Sequence, residues 1–270
     1  MIRIAHLTDV HFGRITRSEI VDVVIGEVNA AAVDLVVVSG DLTQRARPRQ
    51  YEAAVAMLKA FTAPVMVVPG NHDVYPWWRP VLRLFRPLRR YKQYVTDALM
   101  PAFEEGGVAI LGINSAYGWT VKGGWIGEDE RARIASFFAG QDAGVFKILV
   151  VHHHLIPIEG VGRRGVTRGG RPTLEAAAQA GVELILSGHF HISCIEPIEA
   201  ASRRLVRVHG GTATSDRGRG RHHGANFYNV ITVTPEDFAI EERRYDPEAR
   251  HFKPVGLTRF DRTIASSLLR

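Results

Sequence analysis

The sequence predicts an α/β fold in which two sheets pack together beneath outer helices, and three observations carry that reading. The first half alternates short apolar strands with helical stretches, whereas the second half runs strand after strand with no helix between. The length of 270 residues supports one domain with a substantial buried core and does not require two.

In chain order, an apolar strand over Ile2 to Thr8 begins directly after Met1, and a helical stretch follows over Glu19 to Ala32. A second strand, Leu35 to Ser39, carries the run Val36-Val37-Val38, which is strand-sized and far short of the roughly 18 apolar residues of a membrane span. A helix over Arg49 to Phe61 and a strand over Val65 to Val68 complete a βαβα rhythm. After an irregular stretch, strands at Val108 to Ile113 and Lys147 to Val151 flank a helix at Glu128 to Ala139, and a helix over Thr173 to Ala180 leads into Val182 to Leu186. Ser193 to Ile198, Leu205 to Val208, Phe227 to Val233 and Phe238 to Tyr245 then succeed one another as antiparallel strands do. The domain is expected to span residues 1–245, with an insertion at about 74–105 and a weakly periodic tail at 246–270.

Hydrophobic residues at 46% and charged residues at 23% exclude a disordered or fibrous chain. The single cysteine, Cys194, forms no internal disulfide, and with no leader-like segment the composition predicts a cytoplasmic protein. A net charge of +6 favours anionic partners, among them phosphate esters, nucleic acid and anionic lipid. No nucleic-acid-binding module is recognisable.

The informative polar residues fall where strands end. Asp9 and His11 follow the first strand, Asp41 the second, Asn71 and His72 the third; His152 ends the strand 147–151, and His189 and His191 follow Leu186. Loops converge at the carboxyl edge of an α/β sheet, so these groups meet there. Gly40, Gly70 and Gly188 each precede a candidate ligand, as a backbone turning tightly under a metal site requires. Carboxylate, amide oxygen and imidazole together suit Mn, Fe, Co or Zn rather than Ca. Seven ligands exceed one tetrahedral site, and two ions about 3.5 to 4 Å apart sharing one carboxylate would use them all. Asp41 is the natural bridge.

The segments Thr8-Asp9-Val10-His11, Ser39-Gly40-Asp41-Leu42, Pro69-Gly70-Asn71-His72-Asp73, Val151-His152-His153-His154 and Ser187-Gly188-His189-Phe190-His191 resemble, in order, the five-block signature of calcineurin-like metallophosphoesterases. The resemblance implies a four-layer αββα sandwich of two mixed sheets, with two divalent or mixed-valence ions at the strand edge. One ion would take Asp9, His11, Asp41 and His191 and the other Asp41, Asn71, His152 and His189, with a shared water or hydroxide attacking a phosphodiester. His72 would face the scissile phosphate or protonate the leaving group, an imidazole titrating near neutrality, with Asp73 orienting its ring. The GNHD and GHxH blocks are similar to those of the bacterial cyclic-nucleotide phosphodiesterase-like branch.

Outside the metal blocks, His153 and Arg168 are the candidate substrate contacts, with Arg163, Arg164, Arg171, Arg217, Arg219 and Arg221 as further phosphate-gripping candidates. His6 reads as structural and His209 as support behind the ligands. In the insertion, Arg79, Arg83, Arg86 and Arg90 fall on one helical face beside Trp78, Leu82, Phe85 and Leu88, with Pro87 placed to break the helix. Residues 77–92 could therefore contact an anionic membrane, making peripheral attachment at the inner membrane face an alternative, or cover the site as a lid. Two further readings stand behind a phosphodiesterase: a membrane-associated pyrophosphatase acting on a lipid-linked nucleotide sugar, by resemblance to other superfamily members, and a nuclease. A non-catalytic scaffold ranks last, because every ligand of the signature is present.

Overall fold

A computed structural model describes residues 1–120, 122–158, 162 and 165–262. Arg163 and Arg164, and the apolar end of the chain at 264–269, lie outside the described residues.

The first sheet grows from three parallel strands, β1 (Ile2–Leu7), β2 (Leu35–Val38) and β3 (Val65–Val67), joined by helices α1 (Ile20–Ala30) and α2 (Pro48–Ala60). Pro48 opens α2, where its missing N–H costs nothing, and the Gln50 side chain accepts from the N–H groups of Arg45 and Arg47. The insertion contains two short helices, α3 (Pro80–Phe85) and α4 (Arg89–Tyr94), interrupted around Pro87 as the ring of a proline dictates.

The second sheet is seeded by β4 (Ala102–Glu105), β5 (Val108–Ile113), β6 (Phe146–Val151) and β7 (Leu184–Ser187), with helix α5 (Glu128–Ala139) between β5 and β6 and α6 (Gly170–Gln179) between β6 and β7. A hairpin of β8 (Cys194–Ala200) and β9 (Arg203–His209) follows, antiparallel as expected; β9 lies parallel to β7, so β8 forms the sheet edge. The chain then returns to the first sheet with β10 (Phe227–Val233), antiparallel to β1, and with β11 (Asp237–Asp246) and β12 (His251–Asp261). The strand orders are β12-β11-β10-β1-β2-β3 and β4-β5-β6-β7-β9-β8.

The two sheets face each other across a buried layer that includes Ile4, Val37, Val68, Ile110, Ile148, Leu186, Val208 and Ile231. Val24, Val28, Ala54 and Met57 seal α1 and α2 onto the first sheet, and Ile134, Phe138, Leu174 and Ala177 seal α5 and α6 onto the second. The result is the four-layer αββα sandwich. The segment after Asp246 corrects the expected tail: residues His251–Asp261 pair along the whole of β11 as an edge strand. Its pattern was obscured by Pro254, which an edge strand tolerates and which stands where the register slips between Glu242 and Arg243.

A candidate dinuclear metal centre

The parallel strands β1, β2, β6 and β7 end at one edge, and the ligand candidates collect there. Asp9, His11, Asp41 and His191 are all buried and place one donor atom each within 4.8 Å of one another. A second group, His152, His153 and His189, meets the same criterion. Asn71 joins it through Oδ1, 3.2 Å from His152 Nε2.

Local hydrogen bonds aim these donors. The Asp9 Oδ2 atom accepts from Thr8 Oγ1 at 2.9 Å and from the His189 N–H at 2.8 Å, leaving Oδ1 toward the cluster. Asp41 Oδ1 accepts from the His72 N–H at 2.8 Å, while Oδ2 lies 3.6 Å from His11 Nε2 and 3.3 Å from His152 Nε2. Asp41 thus reaches both groups. The rings of His152 and His191 each donate through Nδ1, at 2.8 Å, to the carbonyls of Ser39 and Arg217. That fixes their tautomers and leaves Nε2 as the lone pair facing inward.

The donor set fits metal better than it fits a self-contained polar core. His11 Nε2 and His191 Nε2 confront each other at 3.1 Å, two ring nitrogens that only a shared proton or cation reconciles. Asp9 Oδ1, His11 Nδ1 and His153 Nε2 are buried without a hydrogen bond, in a chain whose other buried polar groups are largely paired. Burial alone would raise the Asp9 carboxyl, but His191, His11 and His152 hold it well below the ordinary range. Burial would likewise lower His152, yet Asp41 and Asp9 raise it to about 9. Such coupled carboxylates and imidazoles are what a divalent ion organises.

The backbone is bent to make this possible. Asp9, His11, Asp41, His189 and His191 all have φ between 53° and 78°, a left-handed conformation that costs a residue with a side chain roughly 1 to 2 kcal/mol. Gly40, Gly70 and Gly188 lie hard against the ligands: a Cβ would come within 2.5 Å of His152 Nδ1 at Gly40 and of Asp9 Oδ2 at Gly188, and would collide with the Asp41 carboxylate at Gly70.

Two expected roles change. Asp73 does not orient His72; its carboxylate accepts from the N–H groups of Thr43 at 2.9 Å, Gly70 at 3.0 Å and Leu42 at 3.2 Å. Burial and the nearby Asp41 push its acid form up to about 7, and those three donors oppose the shift. It ties together the loops after β2 and β3. His72 instead donates from Nδ1 to the Gln44 carbonyl at 2.8 Å, and Nε2 accepts from Arg217 Nη1 at 2.9 Å. Burial, reinforced by His11 and Arg217, pushes His72 down to about 4 despite Asp41, so its ring is neutral near pH 7 rather than titrating there.

The substrate candidates are displaced as well. His153 stands inside the donor cluster, its Nδ1 bonded to Ser115 Oγ at 2.8 Å, and not on the cleft wall. Arg168 lines a separate depression with Trp125, Glu128 and Arg131. The cleft above the donors, about 400 Å³, is lined by Asp41, Asn71, His72, His189 and His191 on the ligand side. Gln44, Arg45, Trp77, Arg83, Lys122, Phe190, Arg217 and Arg219 are among the other lining residues. Arg217 was one of many loop arginines in sequence, and nothing in its neighbours marked it as the one that reaches His72. His6 and His209 are buried supports, bonded to Ser39 Oγ and Ser187 Oγ respectively.

An αββα sandwich with paired Asp and His donor groups at its strand edge defines the class of two-metal phosphoesterase folds. Residues 2–193 match the calcineurin-like phosphoesterase family, and the chain belongs to it. Its curated relatives include the glycerophosphodiester phosphodiesterase GpdQ of Enterobacter lignolyticus, 28% identical over 165 residues that cover 56% of this chain and 56% of the relative. The chain therefore spans little more than half the length of that relative. The 3',5'-cyclic adenosine monophosphate phosphodiesterase CpdA of Haemophilus influenzae is 25% identical over 203 residues, covering 71% and 70% of the two chains. Among solved structures, a purple acid phosphatase from yellow lupin seeds superposes with a TM-score of 0.68 at 12% identity, over 96% of this chain and 53% of that one. At that identity the likeness shows the fold alone.

Proposed function

We propose that the protein is a metal-dependent phosphodiesterase, and the observation that carries this reading is the position of Asp41 Oδ2 between His11 Nε2 and His152 Nε2. Asp9, His11, Asp41 and His191 would hold one divalent ion, and Asp41, Asn71, His152 and His189 the other, with His153 close enough to the second to join or replace a ligand. Mn, Fe, Zn and Co suit these donors. Two such ions would supply an activated water and positive charge for the phosphate oxygens.

The chain's own residues do the rest. Asp9 and Asp41 keep one carboxylate oxygen each on backbone or hydroxyl donors, so the other stays aimed without rearrangement. His72 lines the cleft with Nε2 accepting from Arg217, and so would hold that guanidinium's positive charge toward the oxygens of the scissile phosphate. Two curated relatives are named as phosphodiesterases, which favours a diester over a monoester. The test is hydrolysis of bis(p-nitrophenyl) phosphate and p-nitrophenyl phosphate by metal-stripped protein with Mn, Zn, Co, Fe or Mg restored. Metal-dependent cleavage of the diester in preference to the monoester is expected; equal or exclusive monoester cleavage overturns the proposal.

A second reading, peripheral membrane contact and an amphiphilic substrate such as a lipid-linked nucleotide sugar, is favoured by one surface. Among the described residues no helix is long and apolar enough to cross a membrane. Yet Trp77 and Phe85 are each 75% exposed, with Val81 and Leu84 also exposed, and Trp77 lines the cleft. Residues 74–96 contain no Asp or Glu. Such a surface suits an anionic interface. Sedimentation with phosphatidylglycerol vesicles, lost on changing Trp77 and Phe85 to Ser, is the expected result; absence of binding by the unaltered protein removes this reading.

A further inference from the structure

The cleft holds more positive charge than one diester needs. Among the described residues that line it, Asp41, a ligand candidate, is the one carboxylate, against Arg45, Arg83, Lys122, Arg217 and Arg219. Arg83 is spoken for, because its guanidinium donates to the carbonyls of Tyr75 at 2.5 Å and Thr120 at 2.6 Å. Among the described residues, no ion pair within 4.0 Å involves Arg45, Lys122, Arg217 or Arg219.

The free arginines are nevertheless held in place. Arg217 donates to Gln44 Oε1 at 3.1 Å as well as to His72, Arg219 lies over the Phe190 ring at 5.4 Å, and Arg45 over Trp78 at 5.7 Å. Burial lowers the half-buried Arg217, Asp41 and Asp9 oppose that shift, and the like charges of Arg219 and Arg45 add to it. Neutral and aromatic anchors that gather cations without neutralising them leave a site whose missing component is an anion. A diester monoanion meets the ions at the donor cluster, and the excess left by two divalent cations over Asp9 and Asp41 is largely cancelled by it and an activated water. Arg45, Arg219 and Lys122 remain uncompensated.

We propose that Arg45, Lys122 and Arg219 form a second anion subsite beside Arg217, so that the substrate carries another phosphate group beyond the one cleaved. The inference rests on the phosphodiesterase reading and narrows its substrate class to esters that carry a second phosphate group apart from the scissile one. Phosphate in this subsite accepts from guanidinium forks in bidentate fashion, which also sets which end of the ester enters the cleft.

Calorimetric titration of chelator-treated protein with methylenediphosphonate and methylphosphonate isolates the subsite from the metals and from turnover. Expected is at least about tenfold tighter binding of the diphosphonate, lost in the Arg45→Gln/Arg219→Gln variant, whose circular dichroism serves as the folding control. Equal affinity for the two probes, or diphosphonate binding unchanged in a folded variant, overturns the proposal. With metals restored, the ratio of kcat/KM for thymidine 5'-(p-nitrophenyl phosphate) bearing a 3'-phosphate to that for the unphosphorylated ester should exceed unity and fall about tenfold in the variant. If diester hydrolysis fails while diphosphonate binding stands, the phosphodiesterase reading falls and the subsite survives; hydrolysis without diphosphonate preference does the reverse.

Discussion

Substituting alanine at Gly40 and at Gly188 should weaken the two halves of the metal centre separately, because each glycine lies against a different ligand. A Cβ at position 40 would sit 2.5 Å from His152 Nδ1 and 2.9 Å from His152 Cβ. Ordinary contact needs about another 1 Å, and a shift of that size breaks the 2.8 Å bond from His152 Nδ1 to the Ser39 carbonyl. At position 188 the Cβ would overlap Thr8 Oγ1 and meet Asp9 Oδ2 at 2.5 Å, breaking the bond between them and pushing Oδ2 from the His189 N–H. Losing a partner that orients a ligand costs about 10- to 100-fold in metal affinity. Gly40 also has φ +98°, a conformation that costs alanine about 1 to 3 kcal/mol, whereas Gly188 lies outside the left-handed region. At roughly 2 to 4 °C per kcal/mol for a domain near this size, Gly40→Ala should lower Tm by roughly 2 to 12 °C and Gly188→Ala by less. Mn titration against a chromophoric chelator, repeated in His152→Ala and Asp9→Asn backgrounds, reads the assignment. The effect of Gly40→Ala should vanish in the His152 background and persist in the Asp9 background, with the opposite outcome for Gly188→Ala. Two wild-type affinities in either single variant, or the same background abolishing both effects, would refute the reasoning.

Asp41→Asn should reduce diester hydrolysis at least about 100-fold and lower metal stoichiometry, because the bridge loses its charge while keeping its shape; near-normal turnover with two ions bound argues against a bridge. Asp73→Ala leaves three buried N–H groups without their acceptor and should cost about 3 kcal/mol in a denaturant titration, and a loss under about 1 kcal/mol would mean the loops re-pair without it. Acid should destabilise the chelator-treated protein through His6, whose folded ring is lowered from 6.5 to about 4 chiefly by burial. Between those values the unfolded chain binds the extra proton, so stability falls as pH drops from about 6.5 to 4, by at most about 3 kcal/mol from this residue. His6→Gln should flatten that slope, and an unchanged slope in chemical denaturation assigns it to other groups.

What was legible in the sequence is what local chemistry dictates. Apolar runs marked β1, β2, β5, β6, β7 and β10 because they are buried in the sandwich, and the Asp and His residues after them stood out because a strand end brings its loop to the same edge as its neighbours. The hairpin of β4 and β5 was missed in the stretch read as an insertion, although Gly106 and Gly107, both at positive φ, sit between Glu105 and its partner Val108, the two-glycine turn that favours antiparallel pairing. It was obscured because Ala102–Glu105 is short and largely solvent-facing. The roles of Asp73 and Arg217 were not legible in the same way. The family resemblance implied that Asp73 orients His72, but consecutive side chains at a tight turn diverge, and the carboxylate turned inward to the amides of Leu42, Thr43 and Gly70. Arg217 is separated from His72 by 145 positions, and only the return of the chain between β9 and β10 brings it there. The strain is the deepest feature of this kind. Asp9, His11, Asp41, His189 and His191 occupy a backbone region that glycine or asparagine would fill more cheaply, so local preference and ligand identity conflict at each of them. A sequence optimised for folding alone would relieve that conflict by substitution. Its persistence at five ligand candidates, with glycines beside them cut to admit the side chains, is the mark of a site built for what it binds.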